Sequence, residues 1–273
     1  MLISDKRQGL LMLEESIPLD SNKDALDNRY LPLLYHLHHV DYLEDIPFWL
    51  SLAQEQGSPI LELGCGTGRV LLQLAGVGLK CIGIDKNWHM LEFLKNQISN
   101  ASTRRVEIIN ADFTSFCMRV RLPLIIMPCN TYSTLNPEDR LLLLECVWEN
   151  LDEGGIFSVS MPNPEVLKSQ NSIDDLEIEK IISHPTLKNP VQVSYRILKE
   201  KFHITFHWYY DQLLPDGHVS RLSVNTTHFL VSMNQYIQEL QNSGFEIEKI
   251  YGDFIPTPHL PDSTNLIIIA RKI

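Results

Sequence analysis

The chain has 273 residues, of which 44% are hydrophobic and 21% are charged, an ordinary globular composition with enough length for a full core. Its net charge of −11 argues against a nucleic-acid substrate, because enzymes that act on DNA or RNA usually carry a basic face. The sequence has no apolar stretch of membrane-spanning length, no signal pattern and no C-x-x-C pair among its five cysteines. We therefore expect a cytoplasmic protein with free thiols and no membrane partner.

The segment before the first predicted strand, residues 1–56, is expected to form a helical cap. Residues 31–53 carry tyrosines, histidines and apolar residues at helical spacing. His36 and His39 lie three positions apart and could share a helix face, which raises the alternative of a metal site. Because no third ligand follows at a recognisable spacing, we predict cap or surface histidines and no metal.

A glycine-rich turn follows this cap and is the most informative motif of the chain. An apolar strand predicted at 59–64 runs into glycines at alternate positions, Gly64, Gly66 and Gly68, and a helix is predicted at 68–77. Glycine lets the backbone turn tightly and approach a ligand, and a helix N-terminus offers unpaired N–H groups and the positive end of its dipole. These features predict a nucleotide-type cofactor site at the end of the first strand.

Two residues of this motif discriminate between cofactors. The dinucleotide fingerprint G-x-G-x-x-G needs its third glycine where this chain has Arg69. Glu62, inside the strand, would face a pyrophosphate with a like charge, whereas it suits a cationic ligand. An NAD-type oxidoreductase is therefore disfavoured and stays as an alternative.

The elements that follow alternate between strands and helices. The strand predicted at 80–85 ends in Asp85, roughly 20 residues after the glycine turn, which is the spacing expected for a carboxylate that binds a ribose diol. The other predicted elements are strands at 105–110, 122–128, 155–161, 245–251 and 264–271 and helices at 88–99, 137–150 and 233–243. This alternation predicts an α/β fold with a parallel sheet covered by helices on both faces.

Residues 163–232 interrupt the alternation and are predicted to form an inserted antiparallel β-sheet. Residues 165–182 are polar and are expected to be helical or irregular, whereas period-two patterns predict strands at 191–200, 202–213 and 219–231. Pro215-Asp216-Gly217 is a strong turn signal between the last two of these strands. These patterns together predict a three-stranded antiparallel sheet in the insertion.

The run from Ile60 to Arg69, with Glu62 and its three glycines, resembles motif I of the class I S-adenosylmethionine (SAM) dependent methyltransferases, E-x-G-x-G-x-G. The chain resembles small-molecule members of this family such as the glycine and amino-sugar N-methyltransferase groups, in which comparable insertions form a substrate lid or a dimer contact. The resemblance implies a Rossmann-like sheet of seven strands in which the last strand inserts antiparallel between the fifth and sixth. Residues 57–162 and 233–273 would form this SAM-binding domain, with the helical cap and the inserted lid added to it.

The resemblance also implies which residues contact the cofactor. Asp85 would hold both ribose hydroxyls, Met90 would pack on the adenine, and Asp112 would receive the adenine amino group beside the Phe113 amide. Core packing of Met90 and turn capping by Asp112 are the alternatives. Arg69 would lie near the SAM carboxylate or form a surface ion pair. The expected cofactor-binding residues are Glu62, Gly64, Cys65, Gly66, Gly68, Arg69, Asp85, Lys86, Met90, Asp112, Phe113, Pro128 and Cys129.

Candidate catalytic residues lie in three segments. Asn130 and Tyr132 follow the fourth predicted strand, at the position of the family's motif IV, and the DNA-methylation signature Asp/Asn-Pro-Pro-Tyr is absent there. Tyr30 and Tyr35 belong to the cap, where core packing is the alternative, and His207 lies on the polar face of the insertion, where a solvated sheet face is the alternative. Methyl transfer from a sulfonium depends mainly on alignment and desolvation, so sequence identifies the cofactor better than a base.

These observations predict methyl transfer from SAM to nitrogen or oxygen of a small molecule or short peptide by in-line displacement. A SAM-binding regulatory or partner protein without catalysis is a second hypothesis, because the cofactor residues would serve it equally well. A homodimer is compatible with the insertion but is not specified by any motif.

Overall fold

The computed structural model describes residues 28–100, 105–183, 187 and 189–273. Within the predicted cap, residues 1–27 lie outside the described residues. The helices are α1 Leu31–His39, α2 Ile46–Gln56, α3 Arg69–Gly76, α4 Trp88–Asn100, α5 Pro137–Asn150, α6 Pro164–Ser169 and α7 Met233–Asn242. The strands are β1 Ile60–Leu63, β2 Cys81–Asp85, β3 Val106–Asn110, β4 Leu122–Met127, β5 Leu151–Pro162, β6 Ile173–Ile182, β7 Val191–Lys199, β8 His203–Leu213, β9 Val219–Phe229, β10 Phe245–Tyr251 and β11 Asn265–Lys272.

The larger sheet has seven strands in the order β10-β11-β5-β4-β1-β2-β3. The five strands from β5 to β3 pair in parallel, and β11 pairs antiparallel with both β10 and β5. The α/β fold and the antiparallel insertion of the last strand are therefore confirmed. The chain order reverses between β1 and β4, and open α/β sheets bind ligands outside the carboxyl ends of the strands at such a point.

Helices cover both faces of this sheet, so its central strands are buried throughout. All four residues of β1 are buried, including the carboxyl-bearing Glu62. One apolar cluster lies between the sheet and α5 and α7, and the other lies between the sheet and α2, α3 and α4. Side chains cap the starts of two helices on the first of these faces: the Asn136 side chain accepts from the Asp139 amide at α5, and the Ser232 side chain accepts from the Gln235 amide at α7.

The inserted sheet has four antiparallel strands, in the order β6-β7-β8-β9, and not the three expected. The extra strand, β6, falls in a segment expected to be helical or irregular. It lies at the edge of the sheet, pairs only with β7, and leaves most of its acidic residues exposed. Charged side chains on an edge strand prevent unwanted pairing with other chains. The resulting polar composition and weak period-two pattern explain why β6 was not predicted from the sequence.

The cap helix α1 packs against this inserted sheet. His38 on α1 contacts Tyr210 Oη at 3.0 Å and Glu179 Oε2 at 3.1 Å, and Lys180 donates to the carbonyl oxygens of Leu37 and His38 at 3.3 Å. The last turn of α1 is thereby fixed to β6 and β8. Among the helices in the described part of the chain, none is long and apolar enough to cross a membrane.

Candidate functional site

A cavity of about 330 Å³ opens at the carboxyl ends of β1 and β4, where the order of the strands reverses. The turn after β1 forms its floor and α1 covers it. The predicted site residues that line it are Tyr35, Glu62, Gly64, Cys65, Gly66, Arg69, Cys129 and Asn130. Residues from the cap, from β1 and from the loop after β4 thus meet at one place.

Gly66 and Asp85 connect the first two strands at this edge. The Gly66 amide donates to Asp85 Oδ2 at 2.8 Å, and the Asn87 amide donates to Asp85 Oδ1 at 2.8 Å. Gly66 has a φ of 52°, and a Cβ placed on it would lie 4.0 Å from Tyr35 Cε1. The glycine therefore presents bare backbone to the cavity, while the Asp85 carboxylate is aimed by two N–H groups and keeps free lone pairs for a further donor.

Glu62 is a buried carboxyl group at the base of the cavity. Its Oε2 has no hydrogen-bond partner among the described residues, and the residue is 2% exposed. Burial raises its pKa to about 8, although Arg69 acts in the opposite direction. A buried carboxyl with an unsatisfied oxygen fits a cationic group such as an ammonium, which would supply the missing donor and the opposite charge.

Arg69 lies in the cavity wall as part of a closed ion pair. Its guanidinium donates to both carboxylate oxygens of Asp45 at 2.6 Å, to Tyr42 O at 2.6 Å and to Cys129 Sγ at 2.9 Å. The side chains of Arg69 and Asp45 are only 10% and 1% exposed. The pair therefore differs from the surface ion pair considered for Arg69, since both side chains are largely buried and the guanidinium charge is balanced by the Asp45 carboxylate.

The loop after β4 has an unusual backbone. Cys129 and Asn130 both have positive φ, 60° and 65°, which is uncommon outside glycine. The Asn130 amide donates to Ser160 O at 3.2 Å. Desolvation in the cavity wall raises the pKa of the Cys129 thiol to about 11, although this residue is accessible from the cavity, and burial raises the pKa of Cys65 well above its ordinary value. Both thiols are therefore protonated at neutral pH.

The cap contributes an aromatic wall of neutral polar groups. The His39 ring stacks on His38 with centroids 4.2 Å apart and meets the Tyr35 ring edge-on at 4.5 Å. Burial lowers the pKa of His39 to about 3, with His38 and Arg69 adding to the effect. Burial also raises the pKa of Tyr35. Both side chains are uncharged at neutral pH, and within the described ranges no group of three or more His, Cys, Asp or Glu could hold a metal ion.

The residues expected around the nucleoside lie beside the cavity and not in its lining. Asp112 Oδ1 accepts from the Thr114 amide at 2.9 Å and from Thr114 Oγ1 at 2.7 Å, so it caps a turn, as one alternative proposed. Phe113 is buried in the core, Lys86 is exposed and Met90 is half-buried on α4. Pro128 is buried directly before the loop, and Gly68 is the N-cap of α3.

The structure places the other three catalytic candidates elsewhere. Tyr132 is fully buried in the core against Phe157 and Tyr236, because the short 3-10 helix at Thr131–Thr134 turns its side chain inward. Tyr30 packs with the apolar cluster between α1 and the inserted sheet. His207 pairs with Asn225 Oδ1 at 2.8 Å on the inserted sheet and does not line the cavity.

Several lining residues were not expected from sequence. Asp45, Thr131, Ser160 and Asn265 come from four separate segments that only the folded sheet brings together. Asp45 had one local signal, since an aspartate two residues before a proline is typical of a helix start, and it is the N-cap residue of α2. That signal indicates a helix start and not a partner for Arg69.

Comparisons with known proteins agree with this geometry. Residues 60–155 match the family described as "Methyltransferase domain". The chain is 23% identical over 231 residues to the putative methyltransferase YqeM of Bacillus subtilis (strain 168), covering 82% of this chain and 88% of that protein.

Many solved structures are similar in fold, and two of them show the extent of the likeness. A SAM-dependent methyltransferase from Clostridium acetobutylicum ATCC 824 superposes with a TM-score of 0.75 and 13% identity, covering 90% of this chain and 98% of that one. The sugar N-methyltransferase KedS8 from Streptoalloteichus sp ATCC 53650 gives a TM-score of 0.71 at 13% identity, covering 96% and 100%. At these identities the likeness concerns the fold alone.

Proposed function

We propose that this chain, whose residues 60–155 match a methyltransferase domain, is a SAM-dependent methyltransferase that acts on a nitrogen or oxygen atom of a small molecule or short peptide, with a neutral amine favoured. The transfer would be an in-line displacement in the cavity between β1, β4 and α1. The chain's net charge of −11 supports a small acceptor over a nucleic acid.

The observation that carries the proposal is the unsatisfied Glu62 carboxyl at the base of the cavity. We assign it to the α-ammonium of the methionine part of SAM, and the bare backbone at Gly64 and Gly66 to the same part. Asp85, whose two oxygens are already aligned by backbone N–H groups, is assigned to the ribose hydroxyls. When bound, SAM supplies an electrophilic methyl group on a sulfonium.

The remaining predicted cofactor residues lie along the same sheet edge, beside the proposed contacts to the methionine part and the ribose. We propose that Met90 and Phe113 border the adenine and that the second carboxylate oxygen of Asp112 meets its amino group, since Asp112 Oδ1 is occupied by Thr114. Lys86 follows the β2 end beside this region, and Cys65, Gly68, Pro128 and Cys129 support the two loops that enclose the methionine part.

The charges of the cavity favour an amine over a carboxylate acceptor. Among the described residues that line it, the one permanent cation is Arg69, and Asp45 neutralises it through two hydrogen bonds. A carboxylate acceptor would therefore compete with Asp45 and with the SAM carboxylate for this one guanidinium. The neutral His39 ring, the Tyr35 hydroxyl and the Asn130 amide instead offer hydrogen bonds to an uncharged amine or hydroxyl.

Within this cavity we propose Tyr35 and Asn130 as the catalytic residues that contact the acceptor. Their task is to align the nucleophile and to exclude water, which accounts for most of the rate enhancement in a displacement with a good leaving group. The structural likeness to a sugar N-methyltransferase supports this class of acceptor without naming it. Tyr30, Tyr132 and His207 are left out because they do not line the cavity.

Calorimetric titration of the purified protein with SAM, S-adenosylhomocysteine (SAH) and NADH is the first test. We expect micromolar binding of the two sulfur ligands and none of NADH. Binding of NADH alone would support the oxidoreductase alternative and overturn the proposal. Screening amines, hydroxyl compounds, carboxylates and short peptides with mass-spectrometric detection of the added methyl group then tests catalysis, and SAM binding without any turnover would favour a regulatory protein.

Variants refine the same test. Tyr35→Phe and Asn130→Ala should each lower turnover about tenfold or more while SAH affinity stays within about threefold of wild type, since each removes one acceptor hydrogen bond. Tyr30→Phe is the matched control, because this cap tyrosine does not line the cavity. Equal losses in Tyr30→Phe and Tyr35→Phe would contradict the assignment.

A further inference from the structure

A buried hydrogen-bond chain connects the inserted sheet to the loop that carries Asn130. His228 lies on β9, and its Nδ1 is 2.9 Å from Ser133 Oγ. Ser133 Oγ donates to Asn130 O at 2.8 Å, and the Ser133 amide contacts the same carbonyl at 3.2 Å. His228 and Ser133 are 6% and 1% exposed, so solvent water does not compete for these bonds.

The number of available hydrogen atoms determines which group donates in each of these hydrogen bonds. The Ser133 hydroxyl has a single hydrogen, which it places on Asn130 O, so the hydrogen between the two side chains comes from His228 Nδ1. Burial lowers the pKa of His228 to about 4, and the ring is therefore neutral with its one N–H at Nδ1. His228 thus donates to Ser133, and Ser133 donates to Asn130.

The loop needs such support because of its backbone conformation. Cys129 and Asn130 occupy the left-handed region in succession, and non-glycine residues stay there only where the surroundings hold them. Ser160 on β5 accepts from the Asn130 amide, and Ser133 donates to the Asn130 carbonyl. Both backbone polar groups of Asn130 are therefore fixed.

We propose that His228 is a positioning residue for methyl transfer, which acts through Ser133 to hold the backbone that presents Asn130 to the acceptor side of the cavity. The inference rests on the proposed function, since it takes Asn130 as an acceptor contact. It also assigns a task to the inserted sheet, because a strand of that sheet supplies the imidazole.

Hydrogen exchange in residues 129–135 of the SAH-loaded full chain is the primary test. His228→Leu and Ser133→Ala should each speed exchange about tenfold, the effect of one lost hydrogen bond, and the double variant should be no faster than either single variant. His228→Asn should restore slow exchange, because its amide can donate from the place of Nδ1. Thr227→Val is the control, since it removes a bond to Thr205 Oγ1 of 3.0 Å on the opposite face of the same strand.

Kinetics separate positioning from a general loss of structure. His228→Leu should lower turnover about tenfold while SAH affinity stays within about twofold, because the residues assigned to the ammonium and the ribose, Glu62 and Asp85, lie on β1 and β2. His228→Asn should recover turnover. Unchanged exchange in both His228→Leu and Ser133→Ala, or an equal loss of SAH affinity and turnover, would overturn the inference. If the wild type methylates no acceptor, the proposed function fails while the exchange experiment still decides the role of His228.

Discussion

The Gly66 amide donates to Asp85 Oδ2 across 2.8 Å, which joins the glycine turn after β1 to the end of β2. The same carboxylate accepts from the Asn87 amide through its other oxygen. Asp85 therefore has a structural task, to hold the turn, in addition to its proposed contact with the ribose. Any variant of Asp85 must be analysed for both effects.

Replacing Asp85 by alanine should weaken SAH binding by about 3 kcal/mol, the order of two hydrogen bonds to a charged group. It should also lower the free energy of unfolding, because two backbone N–H groups lose their acceptor. Asp85→Asn keeps one oxygen for the turn, so we expect a similar loss of affinity with stability within about 1 kcal/mol of wild type. Calorimetry and urea denaturation measure the two quantities, with Asp174→Asn on the exposed edge strand as the control. Unchanged SAH affinity in Asp85→Ala would remove Asp85 from the ribose site.

The pH dependence of stability should report on Glu62. Its folded-state pKa of about 8 lies above the ordinary value of 4.5, so between these values the folded, ligand-free protein keeps a proton that the unfolded chain has released. The stabilising contribution is complete below pH 4.5 and is lost as the pH rises through 8, with a slope of up to about 1.4 kcal/mol per pH unit. Urea denaturation at several pH values should show this slope as a difference between wild type and Glu62→Gln, and parallel curves for the two proteins would contradict it.

Ligand binding should reverse the protonation of Glu62. A cationic group beside the carboxyl favours its charged form, so SAM or SAH binding at pH 7 should release close to one proton. Calorimetry in two buffers of different ionisation enthalpy gives the number of protons released. Glu62→Gln should release none at this site, and a proton release equal to that of wild type would show that another group titrates.

The arrangement of the seven-stranded sheet could be predicted because each strand has a recognisable pattern in its own segment of the sequence. The apolar run 266–270 of β11 and the glycine that follows β1 are local signals, and both segments are buried on both faces of the sheet. Strand β6 could not be predicted in the same way, since an edge strand with one partner needs few apolar residues and tolerates many charges.

The candidate site was predictable to the extent that backbone approach determines it. Glu62, Gly66 and Asp85 are neighbours because parallel strands end at one edge, and their spacing along the chain already indicated this. The partner of Arg69 was not predictable, because Asp45 reaches it through the docking of α2 on the sheet. Tyr132 was misplaced because a single turn of 3-10 helix decides whether a side chain faces the core or the cavity.

The variant Tyr132→Phe tests whether the Tyr132 side chain faces the core and not the cavity. The Tyr132 hydroxyl is buried without a hydrogen-bond partner in the described part of the chain, so its removal should raise the free energy of unfolding by about 1 kcal/mol. Turnover should stay within about twofold of wild type, because no acceptor contact is lost. Tyr210→Phe is the matched control, since the Tyr210 hydroxyl is 3.0 Å from His38 Nδ1 and its loss should lower stability. A large fall in turnover in Tyr132→Phe would return Tyr132 to the catalytic site.

Alanine substitutions at Gly68 and Gly217 should separate two energetic costs of an added Cβ, namely backbone strain at positive φ and a steric clash with a neighbouring side chain. Both residues have a positive φ, 83° and 85°, but a Cβ on Gly68 would lie 2.4 Å from Leu94 Cδ1, whereas nothing lies within 4 Å at Gly217. Gly217→Ala should cost only the left-handed backbone, about 1 to 2 kcal/mol. Gly68→Ala should cost about 1 to 3 kcal/mol more, because it also displaces a buried leucine.

Urea denaturation of both alanine variants gives these two costs directly. In a Gly68→Ala, Leu94→Ala double variant the destabilisation should be smaller than the sum of the two single effects, since the truncated leucine leaves room for the added methyl group. Equal destabilisation in Gly68→Ala and Gly217→Ala would mean that the backbone alone requires glycine at position 68. In that case close packing of the glycine turn against α4 would not explain the third glycine of the motif.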